Sequence, residues 1–518
     1  MTDTPAPPFG VVTMQARSAA WTASAVATAG MLTASLYVTG APVVAHLASQ
    51  SAALLLCVLG AALLANFWAP AVPGALLFSY LFQNTIVSLV SSEIVGSDQF
   101  NSIRAYNFIA TATVWLVISA YYLSNRALFP RELRGLLTAA TVALGCVVAY
   151  AAIGAMANPT GAIIYLRNIA APLMLFQICL IVTYRFSIRY EPALKIIGVI
   201  VLAAGYFEMS ARDTWMALIN SDQYLEHLSA TFRDNGTWVR EMQETGRVLR
   251  SVRDILEVDL FNTPLLADLH IKIDRLLGPN LHSISYSYAL VFFSLYFVSR
   301  GRAWYVGLAL PLLLVIGSKG AAIVLAFSLA GYLVTRFTPG RGVLLVFCLA
   351  LAAYAVAGVR FGLESGDYHV VGFLSGVDSL VSNPLGVGLG AGGNYGANAT
   401  PINWSAAQQL HRTAFAVESA AGVLLHQMGA AGFVVMATYA WIAWQAWRRF
   451  QSRPDRALAI VPFAVLVTLT NGIFHEEALF SPLAMGSMMI LAGMSLGASF
   501  GSRAPAAPAM TAPRFPTL

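Results

Sequence analysis

Residues 303–335 read AWYVGLALPLLLVIGSKGAAIVLAFSLAGYLVT, 33 residues whose only charge is Lys319. As one helix the stretch would be about 50 Å long at 1.5 Å per residue. A hydrocarbon core is only ~30 Å thick. Gly317-Ser318-Lys319-Gly320 interrupts the run near its middle, so two spans joined by a tight turn are expected. Charge supports that reading. Two spans put Arg336 and Arg341 on the same side as the other short basic connections, whereas one span would put them opposite. Short loops rich in Lys and Arg belong on the cytoplasmic side.

The rest of the chain fits the same solvent. Of 518 residues, 58% are hydrophobic and 10% charged, with mean hydropathy +0.69. Soluble domains carry about 25% charged residues, so lipid must cover much of this surface. Spans of about 20 apolar residues fall near 21–40, 51–69, 73–92, 107–124, 135–154, 168–184, 195–209, 283–299, 303–317, 320–335, 342–358, 417–446, 457–474 and 478–497. The expected fold is therefore an all-α polytopic membrane protein of about 14 transmembrane helices, with both termini cytoplasmic. Arg126, Arg131, Arg134, Arg185, Arg189, Lys195, Arg300, Arg302, Arg448, Arg449, Arg453 and Arg456 mark the cytoplasmic connections. The net charge of +6 is then an orientation signal, not a nucleic-acid footprint. Cys57, Cys146, Cys179 and Cys348 all lie in apolar runs and read as small buried hydrophobes.

Six regions follow. Residues 1–209 form an N-terminal bundle, 283–358 and 417–500 further transmembrane helices, and 501–518 a tail without a packed fold. Two outward segments are too long to be connectors. Residues 210–282 hold apolar positions at helical spacing (Val248, Leu249, Val252, Ile255, Leu256), the pattern of a helical periplasmic subdomain. Residues 359–416 are rich in Gly, Asn and Pro and read as a long periplasmic loop, a kind of segment that is usually functional or disordered.

Candidate site residues gather on that outward face. Arg167, Arg212, Lys319 and Arg360 stand at the outer ends of spans. Each alone is explained by snorkelling to the headgroup layer, but Lys319 has apolar or small residues on both sides, and an ionisable group at such depth is a functional candidate. Together the cations suit a diphosphate. Arg212 is also spaced to pair with Glu208 at i,i+4. A helix starting near Ala414 would put Glu418, Gly422 and His426 on one face at i,i+4,i+8. Glu418 there is either a site carboxylate or an electrostatic cap. His282 precedes a span beside the capping candidates Asn280 and Ser283. His411-Arg412 and Asp367-Tyr368-His369 are further acid–base candidates. Gly388-Leu389-Gly390-Ala391-Gly392-Gly393 matches a dinucleotide fingerprint in letters only, without the flanking strand and helix. Its glycines permit tight turns or close approach of backbone to an anion or sugar. His475-Glu476-Glu477 is not a zinc motif, and no metal or cofactor is expected.

Several short motifs, in order, resemble the O-antigen polymerase and ligase superfamily, and within it the polymerases of bacterial exopolysaccharides. They are Tyr165-Leu166-Arg167-Asn168 before Pro172, then Gly317-Ser318-Lys319-Gly320-Ala321, then Asn383-Pro384-Leu385-Gly386-Val387-Gly388-Leu389-Gly390, and finally Glu418-Ser419 through Gln427-Met428-Gly429-Ala430-Ala431-Gly432. In the ligases the last helix opens with His-Asn nine residues before a Glu-x-Gly; here Glu418-Ser419 stands at that distance. The resemblance makes Glu418 the base and implies a bacterial inner-membrane glycosyltransferase that needs no metal. It implies a polyprenyl-diphosphate-linked oligosaccharide donor, a growing glycan acceptor, and other polysaccharide-export components as partners. An O-antigen ligase, a transporter or flippase of lipid-linked oligosaccharide, and a structural assembly partner are the alternatives. A transporter would be expected to show repeated halves, and none is evident.

Overall fold

The structure, a computed structural model, describes residues 9–186, 191–234, 256–259, 272–338, 340, 342–394, 404–413 and 415–501. Apart from one short ladder, the regular elements among the described residues are helices. In chain order come α1 (Phe9–Ala48), α2 (Gln50–Phe67), α3 (Val72–Leu89), α4 (Gly96–Arg104), α5 (Tyr106–Ser124), α6 (Arg131–Ala155), α7 (Pro159–Arg185), α8 (Glu191–Ser210), α9 (Arg212–Leu218) and α10 (Ser221–Asp234). Strands β1 (Glu257–Asp259) and β2 (Lys272–Asp274) then pair antiparallel, with Glu257 opposite Asp274. The second half holds α11 (Ser283–Ser299), α12 (Trp304–Ile316), α13 (Lys319–Phe337), α14 (Gly342–Ser365), α15 (Tyr368–Ser382), α16 (Trp404–Leu410), α17 (Ala420–Met428), α18 (Gly432–Ser452), α19 (Arg456–Asn471), α20 (Glu476–Phe480) and α21 (Met485–Gly501).

Among the described residues eleven helical segments are long and apolar enough to cross a membrane, the architecture of a multi-pass membrane protein. Three shorter apolar helices, α11, α12 and α19, stand at the remaining expected spans. The break at Gly317 is present: its φ of +67° ends α12 in the left-handed conformation that glycine adopts most readily. Both arms of the interrupted run pack against α11.

Helices α7 and α21 form the buried centre. Gly493 and Gly497 on α21 lie against the Phe176 and Leu180 carbonyls of α7, so closely that a Cβ at either position would sit within 3 Å of backbone. Small residues four apart let helix backbones approach in lipid, where burial alone gives little attraction between helices. Leu54, Leu55 and Leu59 on α2 and Leu345, Val346 and Leu349 on α14 remain exposed, as lipid-facing surface must be.

Three expectations need correction. The expected single helix from Ala414 is broken: residues 415–419 are irregular, α17 begins at Ala420, and a turn at Gly429–Ala431 separates it from α18. At Gly429 the Gly-rich loop is the cause. Its Val387 and Gly388 N–H groups donate to the His426 and Gln427 carbonyls at 3.2 and 2.9 Å, and Pro384 accepts from Ala430 N–H at 2.8 Å. Loop backbone replaces the next helical turn. Residues 359–416 are not one irregular loop either. They contain α15, whose Gly372 and Gly376 press on the Val417 and Gly422 carbonyls, and α16. In the 210–282 segment the described residues include the β1–β2 ladder as well as helix. Leu256 is buried there with Met216, Tyr224 and Leu225 against Val43, Val87 and Phe100. Val248, Leu249, Val252 and Ile255 lie outside the described residues.

Candidate functional site

The first four N–H groups of a helix have no partner within it, so polar residues collect where helices begin. Five helices begin together at one end of this bundle. His282 caps α11, its Nδ1 accepting from Ser285 N–H at 3.2 Å. Lys319 opens α13 after Ser318. The Asp367 carboxylate accepts from His369 N–H at 2.9 Å to cap α15. Ser419 Oγ accepts from Gly422 N–H at 3.2 Å to cap α17, and also donates to the Gly472 carbonyl at 3.2 Å. His475 precedes α20.

At the centre are two histidines and two carboxylates. His369 Nδ1 lies 3.0 Å from the Glu418 carbonyl oxygen and 3.7 Å from Glu418 Oε2. The His369 and His475 rings sit 5.0 Å apart at 31°. His475 Nδ1 is 2.8 Å from Glu477 Oε2. Burial opposes charge on the His475 ring. The hydrogen bond and charge of Glu477, with the charge of Glu418, outweigh burial and raise its pKa, while Arg275 pulls the other way. The start of α13 adjoins this group: Asn471 Nδ2 donates to the Gly320 carbonyl at 2.9 Å, and a Cβ on Gly320 would lie 3.8 Å from His475 Cδ2. Lys319 is exposed, in electrostatic reach of Asp367 and Arg275. Glu477, Arg275 and Arg104 face His282, which is also exposed. Beneath, the fully buried Glu476 accepts from the Tyr165 hydroxyl at 2.5 Å and from Asn394 N–H at 3.1 Å.

The structure thus brings together Glu418, Lys319 and His282, but not as a helical stripe. Glu418 precedes α17 with φ +60°, a left-handed backbone. His426 leaves the group: it is buried on α17, and its Nδ1 shares a 2.7 Å hydrogen bond with Ser379 Oγ of α15. His411 is exposed at the end of α16, where its φ of +51° and the Arg412 N–H bond to the Ala407 carbonyl form a helix C-cap. Arg360 lies about 200° around α14, at 100° per residue, from both Gly358 and Gly362. Those glycines contact Phe474 and Val370, so Arg360 points outward from the cluster and is exposed. Arg212 does not bond Glu208. It reaches Asp274 Oδ2 at 3.5 Å and the Arg275 carbonyl at 3.3 Å, while the Glu208 carboxylate accepts from Leu277 and Gly278 N–H at 2.8 and 2.7 Å. Arg167 leaves α7 about 200° from Tyr165, beside Asn168 and in electrostatic reach of Tyr80.

The glycines of the loop serve packing. Gly388 has φ +97° and donates to Gln427; Gly390 has φ +87°, and its carbonyl accepts from Asn158 Nδ2 at 3.0 Å. Side chains there would strike the Gly154 and Gly161–Ala162 backbones respectively. The Gly388 N–H is engaged by the Gln427 carbonyl, and the Cβ side of both glycines is occupied by helix backbone.

Residues not assigned from sequence carry much of the site: His475, Glu476, Glu477 and Arg275, with His369 named only among several acid–base candidates. Three consecutive ionisable residues between two apolar runs, at 475–477, were the available signal. The pair Gly372-x-x-x-Gly376 was the signal that α15 would dock closely. Among the described residues no three His, Cys, Asp or Glu side chains are grouped to hold a metal ion. No protein-family model, curated protein or solved structure matches this chain.

Proposed function

We propose that this protein is a membrane glycosyltransferase that polymerises lipid-diphosphate-linked oligosaccharide repeat units. In this reading all fourteen apolar helices cross the bacterial inner membrane, both termini are cytoplasmic, and the His369–His475 end faces the periplasm. One observation carries the reading: acid–base groups (Glu418, His369, His475, Glu477) and cations (Lys319, Arg275) share one end of a bundle of spans. A polyprenyl tail lies in the bilayer, so its diphosphate lies at such an end.

The chemistry needs both kinds of group. An acceptor hydroxyl oxygen attacks the anomeric carbon, the bond from that carbon to the diphosphate oxygen breaks, and the electron pair leaves with the diphosphate. A general base takes the hydroxyl proton. Fixed positive charge stabilises the diphosphate as its charge develops. The acid–base group around Glu418 supplies the first, and Lys319 with Arg275 the second.

The test is purified protein in vesicles with a lipid-diphosphate repeat unit as sole substrate. A ladder of lengthening glycans supports polymerisation. A single transfer to a different lipid would make it a ligase, and movement across the vesicle without a new glycosidic bond would make it a transporter. Removing the Glu418 carboxylate (Glu418→Gln) shortens the ladder; an undiminished ladder takes Glu418 out of the chemistry.

A further inference from the structure

We infer that the general base of this site is Nε2 of His369 and that Glu418 is the residue that positions it, an assignment resting on the glycosyl-transfer reading above. A carbonyl oxygen can only accept a hydrogen bond. The 3.0 Å contact between His369 Nδ1 and the Glu418 carbonyl therefore puts the ring hydrogen on Nδ1 and leaves the lone pair on Nε2. Among the described residues Nε2 has no hydrogen-bond partner, and the side chain is 24% exposed, open to an acceptor hydroxyl.

Local backbone explains why that carbonyl is available. In a continuous helix the Glu418 carbonyl would accept from Gly422 N–H. Ser419 Oγ takes that N–H instead, and the left-handed φ of +60° at Glu418 turns its carbonyl out of the helix toward α15. A left-handed conformation is unfavourable for a residue with a Cβ, and such outliers concentrate at functional sites. On the facing side, Asp367 caps α15 through the His369 N–H, and Gly372 and Gly376 bring α15 into backbone contact with Val417 and Gly422. Both partners are fixed.

The carboxylate of the same residue reaches the same edge of the ring, with Oε2 3.7 Å from Nδ1. When Nε2 takes the acceptor proton, the imidazolium forms beside that negative charge. The proton moves from hydroxyl to Nε2, the new glycosidic bond forms, and the diphosphate departs with the old bond's electrons; His369 then returns its proton to water. Around His369 stand Glu418 ahead of α17, Asp367 at the cap of α15, the neighbouring Tyr368 ring and His475 before α20; Glu477 is bonded to His475, and Lys319 at the start of α13 is in electrostatic reach of Asp367.

The deciding measurement is the pH profile of ladder formation for wild type, His369→Ala, Glu418→Gln and Glu418→Asp. His369→Ala is expected to lose roughly 10²–10⁴-fold in rate and to regain part of it with added imidazole. A variant that is merely misfolded gains nothing from imidazole. Glu418→Gln keeps the carbonyl bond but loses the charge, so it retains a reduced rate with its acidic limb moved to lower pH, and Glu418→Asp restores that limb. A His369→Ala rate within threefold of wild type overturns the assignment, as does an unmoved acidic limb in Glu418→Gln. If His369→Ala does not fold, the Glu418→Gln profile decides alone. A wild-type protein that forms no glycosidic bond overturns the glycosyl-transfer reading, and this base with it.

Discussion

The Tyr165 hydroxyl donates to the Glu476 carboxylate at 2.5 Å across 311 residues of sequence, joining α7 to α20 beneath the histidine pair. Glu476 is fully buried, and it also accepts from the backbone N–H of Asn394 at 3.1 Å. Tyr165→Phe preserves the ring and removes the donor, so the carboxylate loses a partner without a cavity forming. The expected cost is about 1–3 kcal/mol, read as a lower unfolding temperature of the detergent-solubilised protein. An unchanged unfolding temperature would show that the bond does not hold the two helices.

Gly390→Ala is expected to destabilise by a similar ~1–3 kcal/mol. The added Cβ meets the Gly161–Ala162 backbone, and φ at +87° suits glycine alone. Leu385→Ala in the same loop is the control. Its side chain is 76% exposed, and a surface change of this kind stays within about 0.5 kcal/mol.

The His475–Glu477 pair carries a pH signature. The pKa of His475 is raised in the folded protein, so the pair's contribution is fully present below the ordinary histidine pKa of about 6.5. It is lost as pH rises through the folded-state value. The gap in unfolding temperature between wild type and His475→Gln should therefore be wide at low pH and narrow as pH rises. A gap that widens with pH has the wrong sign for a raised histidine.

Two span-end cations separate cleanly. Lys319 stands beside the histidine group, whereas Arg360 faces away from it on α14. Lys319→Ala should cut ladder formation at least tenfold, and Arg360→Ala should leave it near the wild-type rate. Equal losses in both would argue for a general charge effect instead of a placed cation.

The orientation is open to chemical labelling. With exposed Cys348 replaced, cysteines at Lys272 and Ser452, both exposed, should react with an impermeant thiol reagent from opposite sides of intact cells. Lys272→Cys is expected to label from outside and Ser452→Cys only after lysis. The reverse result would invert the topology.

How far sequence reaches can be seen residue by residue. Runs such as 342–358 declare themselves because apolar composition is local, and Gly317 declares a break because a left-handed end is a property of one residue. The continuous helix expected to start near Ala414 failed for a non-local reason. Its interruption at Gly429 is made by backbone N–H groups of Val387 and Gly388, some 40 residues earlier, and hydrophobic periodicity carries no record of them. His426 looked like a site residue by its spacing from Glu418, yet its partner Ser379 lies on a helix not expected at all.

The solvent, the positions of the apolar helices and the set of chemically capable residues are legible in the linear chain, because transfer into lipid depends on composition over about 20 neighbouring residues. Which of those residues meet is set by the folded arrangement of the helices. His369 and Glu418 are 49 residues apart, and His369 lies more than a hundred residues from His475. Their meeting depends on five helices beginning at one level and on glycines that let backbones touch. Such contacts are pairwise and long-range, and a linear pattern of residue types does not encode them.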